Sequence, residues 1–192
     1  MAVRTGIFGG SFNPIHKGHI LLAEQILQSG MVDELWLMVS PQNPLKENSE
    51  LWNDKIRLRL ARLAVRNHPN IHVSDFEFGL PRPSYMYHTL EELNKTYPNR
   101  TFTLVIGADN WACFSDWYHS NDILKKYPII IYPRNGFSFE QSQLPPNVTL
   151  LNTELYPISS TEIRERLQQG KDVSQWLDAE VERECKKLRS KT

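Results

Sequence analysis

The chain has 192 residues, 40% of them hydrophobic and 23% charged, an ordinary balance for one globular domain with a substantial core. Its 22 basic and 22 acidic side chains cancel, which argues against the broad basic face that a nucleic-acid polymer needs. The sequence shows no apolar run of membrane-spanning length, no signal-peptide pattern and no disulfide framework, so we expect a protein of the reducing cytoplasm.

Short β-like runs alternate with helix-like stretches along the chain. The predicted strands are Thr5–Phe8, Glu34–Val39, Ile71–Val73, Thr101–Ile106, Ile129–Tyr132 and Thr149–Leu151. The predicted helices are Gly18–Gln28, Asp54–Asn67, Tyr85–Thr96, Asn121–Lys125, Ser160–Gln169 and Val173–Leu188. This alternation predicts an α/β fold with a doubly wound, mostly parallel sheet and helices on both faces. We expect a single domain over 1–192, with a C-terminal helical segment from about 159.

The residues after the first strand carry the most informative motif, Gly9-Gly10-Ser11-Phe12-Asn13-Pro14-Ile15-His16-Lys17-Gly18-His19. Two glycines let the backbone approach an anion closely, and a helix start presents unpaired amides and a positive dipole end. His16 and His19 lie three apart, so both rings share one helix face turned toward the same loop. The pattern predicts a phosphate site. A solvated histidine pair or two zinc ligands are the alternatives, although only two ligands are local.

A second motif lies at a predicted helix start, Ile158-Ser159-Ser160-Thr161-Glu162-Ile163-Arg164. Its hydroxyls can cap the helix and also bind a phosphate. Arg164 lies one turn further on, so its guanidinium can reach back to the same anion. Ser159 and Glu162, three apart, also predict a capping box. Both interpretations can hold at once.

Two loops that follow strands carry polar residues of interest. Prolines stiffen the loop Ser40–Lys46, so Lys46 lies on a constrained arm, although a plain exposed lysine is the simpler interpretation. Gly107 and Asp109 follow the fourth strand, where the carboxylate can accept ribose hydroxyls or cap a helix.

Three further features stand beside predicted elements. Ser84 precedes a predicted helix and is typical of an N-cap. Arg134, a lone arginine, ends the fifth strand. An aromatic cluster, more often core than ligand platform, comprises Trp111, Phe114, Trp117 and Tyr118.

The two motifs together resemble those of the (T/H)xGH nucleotidyltransferase superfamily, and the longer first motif resembles the bacterial nicotinate mononucleotide adenylyltransferase family. The resemblance spans nearly residues 5 to 166. It implies transfer of the AMP moiety of ATP to nicotinate mononucleotide, which yields nicotinate adenine dinucleotide (deamido-NAD) and pyrophosphate in NAD biosynthesis. ATP and nicotinate mononucleotide are then the partners, without a nucleic-acid polymer or a membrane, and a homo-oligomer stays open.

The resemblance also implies roles for individual residues. The implied catalytic residues are His16, His19, Lys46 and Arg164. The implied ATP-binding residues are Gly9, Gly10, Ser11, Phe12, His16, His19, Gly107, Asp109, Ile158, Ser159, Ser160 and Arg164. The implied mononucleotide-binding residues are Ser84, Tyr85, Met86, Trp117, Tyr118 and Arg134. In the family, Lys46 corresponds to a lysine over the phosphates and Trp117 to a tryptophan stacked on the pyridine. Met86 stands where the family has threonine, so backbone donors remain while a hydroxyl contact is lost.

The implied reaction needs positioning and charge neutralisation rather than a nucleophilic side chain. The mononucleotide phosphate is already an oxyanion and attacks the α-phosphorus in line. We expect Mg²⁺ to bind through phosphate oxygens and water, with no metal site made of protein ligands. We also expect neighbouring phosphates to favour a protonated His19.

The nearest alternatives share the fold and the chemistry. They are adenylyl transfer to the amide mononucleotide or to phosphopantetheine, and cytidylyl transfer. An aminoacyl-tRNA synthetase fragment is a further alternative, but the chain lacks a KMSKS-like loop and a basic surplus. A nucleotide-binding sensor without turnover is the alternative from another class.

Overall fold

A computed structural model of the chain describes residues 2–41, 51–154 and 156–189. Its centre is a six-stranded, all-parallel sheet with the order β3-β2-β1-β4-β5-β6. The strands are β1 (Val3–Gly10), β2 (Glu34–Val39), β3 (Ile71–Ser74), β4 (Arg100–Gly107), β5 (Ile129–Tyr132) and β6 (Val148–Leu150). The predicted doubly wound α/β fold is confirmed. From the central strand β1, the chain adds β2 and then β3 on one side, and it adds β4, β5 and β6 on the other side.

Helices connect the strands and cover the sheet. They are α1 (Lys17–Gln28), α2 (Asp54–Val65), α3 (Met86–Thr96), α4 (Ala108–Ala112), α5 (Ser120–Lys126), α6 (Ser160–Gln168) and α7 (Ala179–Arg189). Single turns of 3-10 helix lie at Phe76–Gly79, Phe114–Asp116 and Gln141–Gln143. Over the part of the chain that the structure describes, no helix is long and apolar enough to cross a membrane.

Neighbouring residues of the central strands point into two separate hydrophobic cores. On β1, Ile7 packs in one core and Phe8 in the other. On β4, Leu104 and Val105 divide in the same way. Side chains alternate between the two faces of a strand, so a strand that is buried on both faces is apolar without interruption. These apolar runs are therefore what places helices on both sides of the sheet.

The glycines of the first motif end a strand instead of forming a turn, which corrects one expectation. Gly9 pairs with Met38 and Gly10 with Val39 in the β1–β2 ladder. The backbone turns two residues after Gly10, where Phe12 has a φ of 44°. This left-handed conformation is rare for a residue with a side chain. The chain reverses abruptly there and delivers the rest of the motif to the sheet's carboxyl edge.

The predicted last helix begins too early. Residues 173–178 form a turn, and α7 starts at Ala179. The side chain of Asp178 accepts a hydrogen bond from the amide of Glu180 at 2.9 Å, which caps α7. Asp172 accepts from the amide of Ser174 in the same way at 3.1 Å. Aspartates that bond to amides two residues on favour turns and caps over helix interior.

Candidate active site

A cleft of about 890 Å³ opens at the carboxyl ends of β1 and β4. These two strands flank the point where the sheet order reverses, which is where ligands bind in open α/β sheets. Every predicted site residue that the structure describes lines this cleft: Gly9, Gly10, Ser11, Phe12, His16, His19, Ser84, Tyr85, Met86, Gly107, Asp109, Trp117, Tyr118, Arg134, Ile158, Ser159, Ser160 and Arg164. Lys46 lies outside the described residues.

The two histidines of the first motif form a stacked pair. Their ring centroids are 3.7 Å apart, with an angle of 27° between the planes. The backbone amide of His16 donates to Nδ1 of His19 at 3.2 Å. Because Nδ1 accepts, the proton of a neutral His19 ring belongs on Nε2. The rings of Phe12 and His19 meet edge to face, with centroids 5.1 Å apart and 75° between their planes, and this packing fixes the orientation of the His19 donor.

Both histidines have lowered pKa values in the ligand-free protein, so their rings are neutral there; the expectation of a protonated His19 concerns the phosphate-bound state and stays a prediction. Burial, reinforced by the positive charge of Arg134, lowers the pKa of His16 to about 3. Burial first, and then His16 and Arg134, hold the pKa of His19 well below its usual value. The neutral rings therefore offer N–H donors to an incoming anion, while the guanidiniums of the cleft carry the positive charge.

At the start of α1, fewer backbone amides are free to bind an anion than the sequence predicted. The amide of Lys17 donates to the carbonyl of Trp176 at 2.8 Å, and the amide of His19 donates to the carbonyl of His16 at 2.9 Å. The ammonium of Lys17 donates to the carbonyl of Ser174 at 2.9 Å. The turn before α7 thus anchors the start of α1, and these two amides are not open to a phosphate.

The second motif is fastened directly to the first. Arg164 donates through Nη1 to the carbonyl of Asn13 at 2.9 Å. Ser160 donates through its hydroxyl to the carbonyl of Pro14 at 3.0 Å. Both carbonyls belong to the loop between β1 and α1. The predicted proximity of the two motifs is therefore found, and α6 supports the loop that carries the histidines.

The capping of α6 differs in one detail from the prediction. Ser159 is the N-cap, and its hydroxyl accepts from the amide of Thr161 at 3.2 Å. Glu162 does not complete a capping box, because its carboxylate accepts from Arg166 at 3.1 Å. A surface pair four residues apart on the helix competes for that carboxylate.

Asp109 and Arg134 form an ion pair at the other side of the cleft. Oδ1 of Asp109 lies 3.6 Å from Nε of Arg134, and Nη2 of Arg134 donates to the hydroxyl of Tyr132 at 3.2 Å. Gly107 is the N-cap of α4, so Asp109 is not the cap that the sequence permitted. A carboxylate and a guanidinium held side by side can receive sugar hydroxyls and a phosphate group together.

An aromatic wall faces the mouth of the cleft. Tyr85 and Tyr118, which are 37% and 45% exposed, pack with ring centroids 5.0 Å apart. The ring of Trp117 lies 5.4 Å from that of Phe114, and its Nε1 is buried without a hydrogen-bond partner among the described residues. An unpaired buried donor costs free energy, so this indole is well suited to a ligand acceptor.

Two buried charged residues beside the cleft escaped the sequence analysis. Arg57 and Glu77 are each only 1% exposed. Ser84, predicted as an N-cap, donates to Glu77 at 3.4 Å, and Tyr85 is the N-cap of α3 instead. Periodicity could have identified Arg57, because it lies on the buried face of α2 with Leu60 and Ala61. Nothing in the local sequence marks Glu77.

Comparison with known proteins places the chain in a family. Residues 7–166 match the family described as cytidylyltransferase-like, so fold and site together define a nucleotidyltransferase. Two relatives named nicotinate-nucleotide adenylyltransferase are 52% identical (Bacteroides thetaiotaomicron) and 51% identical (Bacteroides fragilis). Each alignment covers 93% of this chain and 89% of the relative. The chain therefore belongs to the nicotinate-nucleotide adenylyltransferase family, which confirms the resemblance.

Solved structures agree with the fold. The nicotinic acid mononucleotide adenylyltransferase of Plasmodium falciparum, in complex with NaAD, superposes with a TM-score of 0.81 at 21% identity. The match covers 97% of this chain and 96% of that one. The same enzyme in complex with APC gives a TM-score of 0.79. The Rossmann-like architecture is thus shared with enzymes whose sequences have diverged widely.

Proposed function

We propose that this protein transfers the adenylyl group of ATP to nicotinate mononucleotide and releases pyrophosphate, with nicotinate adenine dinucleotide as its product in NAD biosynthesis. The observation that carries the proposal is the convergence of the two motifs on one cleft. The loop with His16 and His19 is held by Arg164, and the aromatic wall with Trp117 lies at the same cleft. The histidine loop with Arg164 is thus complementary to a triphosphate, and the adjacent aromatic wall is complementary to an aromatic nucleotide base.

The chemistry needs no protein nucleophile. An oxygen of the mononucleotide phosphate forms a bond to the α-phosphorus of ATP, and the bond from that phosphorus to pyrophosphate breaks. The N–H groups of His16 and His19 and the guanidinium of Arg164 stabilise charge on the reacting phosphates. Lys46, which lies outside the described residues, adds a further cation in this proposal.

The positive charge of Arg134 can attract the phosphate groups of both substrates. Arg134 lines the same cleft as His16 and His19, and its positive charge contributes to the lowered pKa of both rings. We assign it to the mononucleotide phosphate, which must approach the α-phosphorus for in-line attack. Asp109 would then accept ribose hydroxyls. In this proposal, the substrates compete with the ion pair between Asp109 and Arg134, whose closest charged atoms lie 3.6 Å apart.

Mg²⁺ enters the proposal with ATP. Within residues 2–41, 51–154 and 156–189, no group of three or more His, Cys, Asp or Glu side chains is placed to hold a metal ion. Mg²⁺ keeps several waters and readily binds phosphate oxygens, so an ion carried by the nucleotide suits this cleft. When bound, it would neutralise charge on the leaving pyrophosphate.

The acid form of the pyridine is our proposed acceptor. The first amides of any helix lack intrahelical acceptors and attract a carboxylate. In this chain, those amides belong to Met86 and the residues after it at the start of α3, and Met86 itself lines the cleft. Because the family's threonine is replaced by Met86, the backbone has to supply recognition of the carboxylate without a hydroxyl.

Pyrophosphate release from ATP with a panel of acceptors tests the proposed function. Nicotinate mononucleotide, its amide counterpart and phosphopantetheine are compared at equal concentration. We expect turnover with the nicotinate form to exceed that with the amide by on the order of tenfold or more, a difference of about 1.4 kcal/mol. Turnover with phosphopantetheine alone would contradict the proposal. ATP binding without pyrophosphate release from any acceptor would instead indicate a sensor.

A further inference from the structure

A buried carboxylate lies between two parts of the cleft, the phosphate half beside the first motif and the acceptor half at the start of α3. Glu77, in the 3-10 turn Phe76–Gly79, is 1% exposed. Its Oε2 accepts from the hydroxyl of Ser40 at 2.7 Å and from that of Ser84 at 3.4 Å. Its Oε1 accepts from the hydroxyl of Thr89 at 2.8 Å. One side chain is therefore tied to the segment after β2 and to the start of α3.

Ser40 belongs to the phosphate half of the cleft. Its amide donates to the carbonyl of Gly10 at 2.9 Å, so it continues the ladder beside the first motif. Arg57 donates through Nη1 both to the carbonyl of Ser40 at 2.8 Å and to that of Ser11 at 2.6 Å. The buried guanidinium and the strand ladder thus hold Ser40 rigidly against the loop that begins the motif.

Ser84 belongs to the acceptor half. It directly precedes Tyr85, the N-cap of α3, and Met86, whose amide is the first of those proposed to receive the pyridine carboxylate. Thr89 lies within α3, where its side chain is fully buried. Together, Ser84 and Thr89 tie the first turn of α3 to the carboxylate of Glu77.

We propose that Glu77 is a positioning residue that fixes the acceptor segment, Ser84–Met86, at a set separation from the phosphate loop, Gly10–Ser11, through its bridge to Ser40. The inference rests on the proposed function, since it concerns the approach of the two substrates of that reaction. Glu77 touches no substrate in this proposal; it acts through the two serines. In-line attack is sensitive to such spacing, because a misplacement of about 1 Å can cost on the order of 10²-fold in rate.

Three donors on one acceptor explain why this residue is a carboxylate. Each hydroxyl donates, so the central group must accept at both oxygens. An amide in its place would present N–H donors to one of the hydroxyl groups. A loss of the Ser40 hydroxyl, in contrast, breaks only the bridge and leaves Glu77 bonded to Ser84 and Thr89.

The decisive experiment compares Ser40→Ala with Ser40→Thr in the full-length protein. Ser40→Ala removes the bridging hydroxyl, and Ser40→Thr retains it. For each variant, kcat and both KM values are measured with ATP and nicotinate mononucleotide. Calorimetry then gives the Kd of ATP alone and of the mononucleotide in the presence and absence of a non-hydrolysable ATP analogue. Ser29→Ala is the matched control, because it removes a serine hydroxyl bonded to the carbonyl of Ile26 at the far end of α1.

We expect kcat of Ser40→Ala to fall by about tenfold or more, with each separate Kd within about threefold of wild type. Ser40→Thr should recover most of the rate, and Ser29→Ala should leave it unchanged. Wild-type kcat in Ser40→Ala would overturn the inference. A loss of ATP affinity as large as the loss of kcat would also overturn it, because Ser40 would then merely stabilise the phosphate loop.

Glu77→Gln provides a second measurement. It should lower kcat at least as far as Ser40→Ala does, and the double variant should be no slower than Glu77→Gln alone. Multiplicative losses in the double variant would show that the two residues act separately, which contradicts the bridge. If Glu77→Gln fails to fold, the Ser40 variants decide alone. Wild-type protein that releases no pyrophosphate with any acceptor would refute the proposed function itself, whereas an active wild type with an equally active Ser40→Ala would refute only this inference.

Discussion

Gly107 is a position where the cleft has no room for a side chain. A Cβ there would collide with the carboxylate of Asp109 and lie 3.1 Å from Nε of Arg134. The φ of Gly107 is −75°, which any residue can adopt. Glycine is therefore required here because the side chains of Asp109 and Arg134 occupy the space that a Cβ would need, and not because of the backbone conformation.

Gly107→Ala should fold normally and bind ATP more weakly. The added methyl displaces two flexible side chains, so the melting temperature should change little, while we expect ATP affinity to fall by about tenfold, or ~1.4 kcal/mol. Isothermal titration calorimetry measures the affinity and thermal unfolding measures the stability. Gly79→Ala is the control, because a Cβ at Gly79 meets no atom within 4 Å. Unchanged ATP affinity in Gly107→Ala would show that the ion pair does not contribute to the nucleotide site.

Single residues differ in how far the sequence reveals them. His16, His19 and Arg164 are recognisable because each stands in a short motif beside a strand end or a helix start. Glu77 is not recognisable, because its three partners come from segments that meet only in the folded protein. The neutral state of the ligand-free histidines is not recognisable from the sequence for a related reason. Their lowered pKa values reflect burial and the charge of Arg134, which is distant in sequence.

At the scale of elements, α6 acts as a brace for the loop between β1 and α1. Arg164 and Ser160 bond to the carbonyls of Asn13 and Pro14, respectively. The C-terminal turn adds a second brace through Lys17 and Trp176. The two ends of the chain therefore jointly determine where the histidine pair lies.

Replacement of Arg164 should affect catalysis far more than stability. Arg164→Gln removes both the cation and the guanidinium hydrogen bond to the carbonyl of Asn13, so we expect turnover to fall by on the order of 10²–10³-fold. Arg164→Lys keeps the charge without the planar fork and should be intermediate. Steady-state kinetics give the turnover, and urea unfolding gives the stability.

Glu165→Gln is the control for this experiment. Glu165 lies on the same helix, is exposed and does not line the cleft. Its replacement should change stability by no more than about 0.5 kcal/mol and leave turnover close to that of the wild type. Equal losses of turnover in Arg164→Gln and Glu165→Gln would mean that α6 acts only as structural support.

Among the elements, strands were predicted more accurately than the last helix. All six predicted strands exist, and their ends lie within two residues of the prediction. Uninterrupted apolar runs identify a parallel strand strongly, because both of its faces are buried. The start of α7 was missed by six residues, since the apolar spacing of Val173 and Leu177 fits a helix while Asp178 caps a new one. Local capping competes with periodicity at such points.

At the scale of the whole molecule, charge is balanced overall, and charged groups of both signs meet in the cleft. The 22 basic and 22 acidic side chains cancel, and Arg134 and Arg164 line the cleft together with Glu77, Asp109 and Asp116. Two uncharged imidazoles lie beside them. The folded protein thus keeps His16 and His19 neutral at a mildly acidic pH at which the unfolded chain would protonate them. The protonation of these two site residues is therefore linked to the stability of the fold.

Acidification should therefore destabilise the ligand-free protein. An unfolded histidine titrates near 6.5, whereas folded His16 titrates at about 3 and His19 well below its usual value. Between these values the unfolded chain binds more protons. The stabilising contribution is complete above about pH 6.5 and is lost as the pH falls toward 3, at up to about 1.4 kcal/mol per pH unit for each histidine. Glu77 has a raised pKa and so offsets part of this loss, because its folded form takes up a proton first.

Urea unfolding at a series of pH values between about 5 and 7 measures this dependence. The free energy of unfolding of the wild type should decrease steeply over that range. A His16→Asn/His19→Asn double variant retains Glu77 but lacks the two titrating rings, so its curve should be distinctly flatter. If the two curves run parallel, the histidines titrate alike in the folded and unfolded chain, which would contradict the lowered pKa values of His16 and His19. The same comparison in the presence of ATP should narrow the difference, because bound phosphates favour the protonated rings and raise their pKa toward the unfolded value.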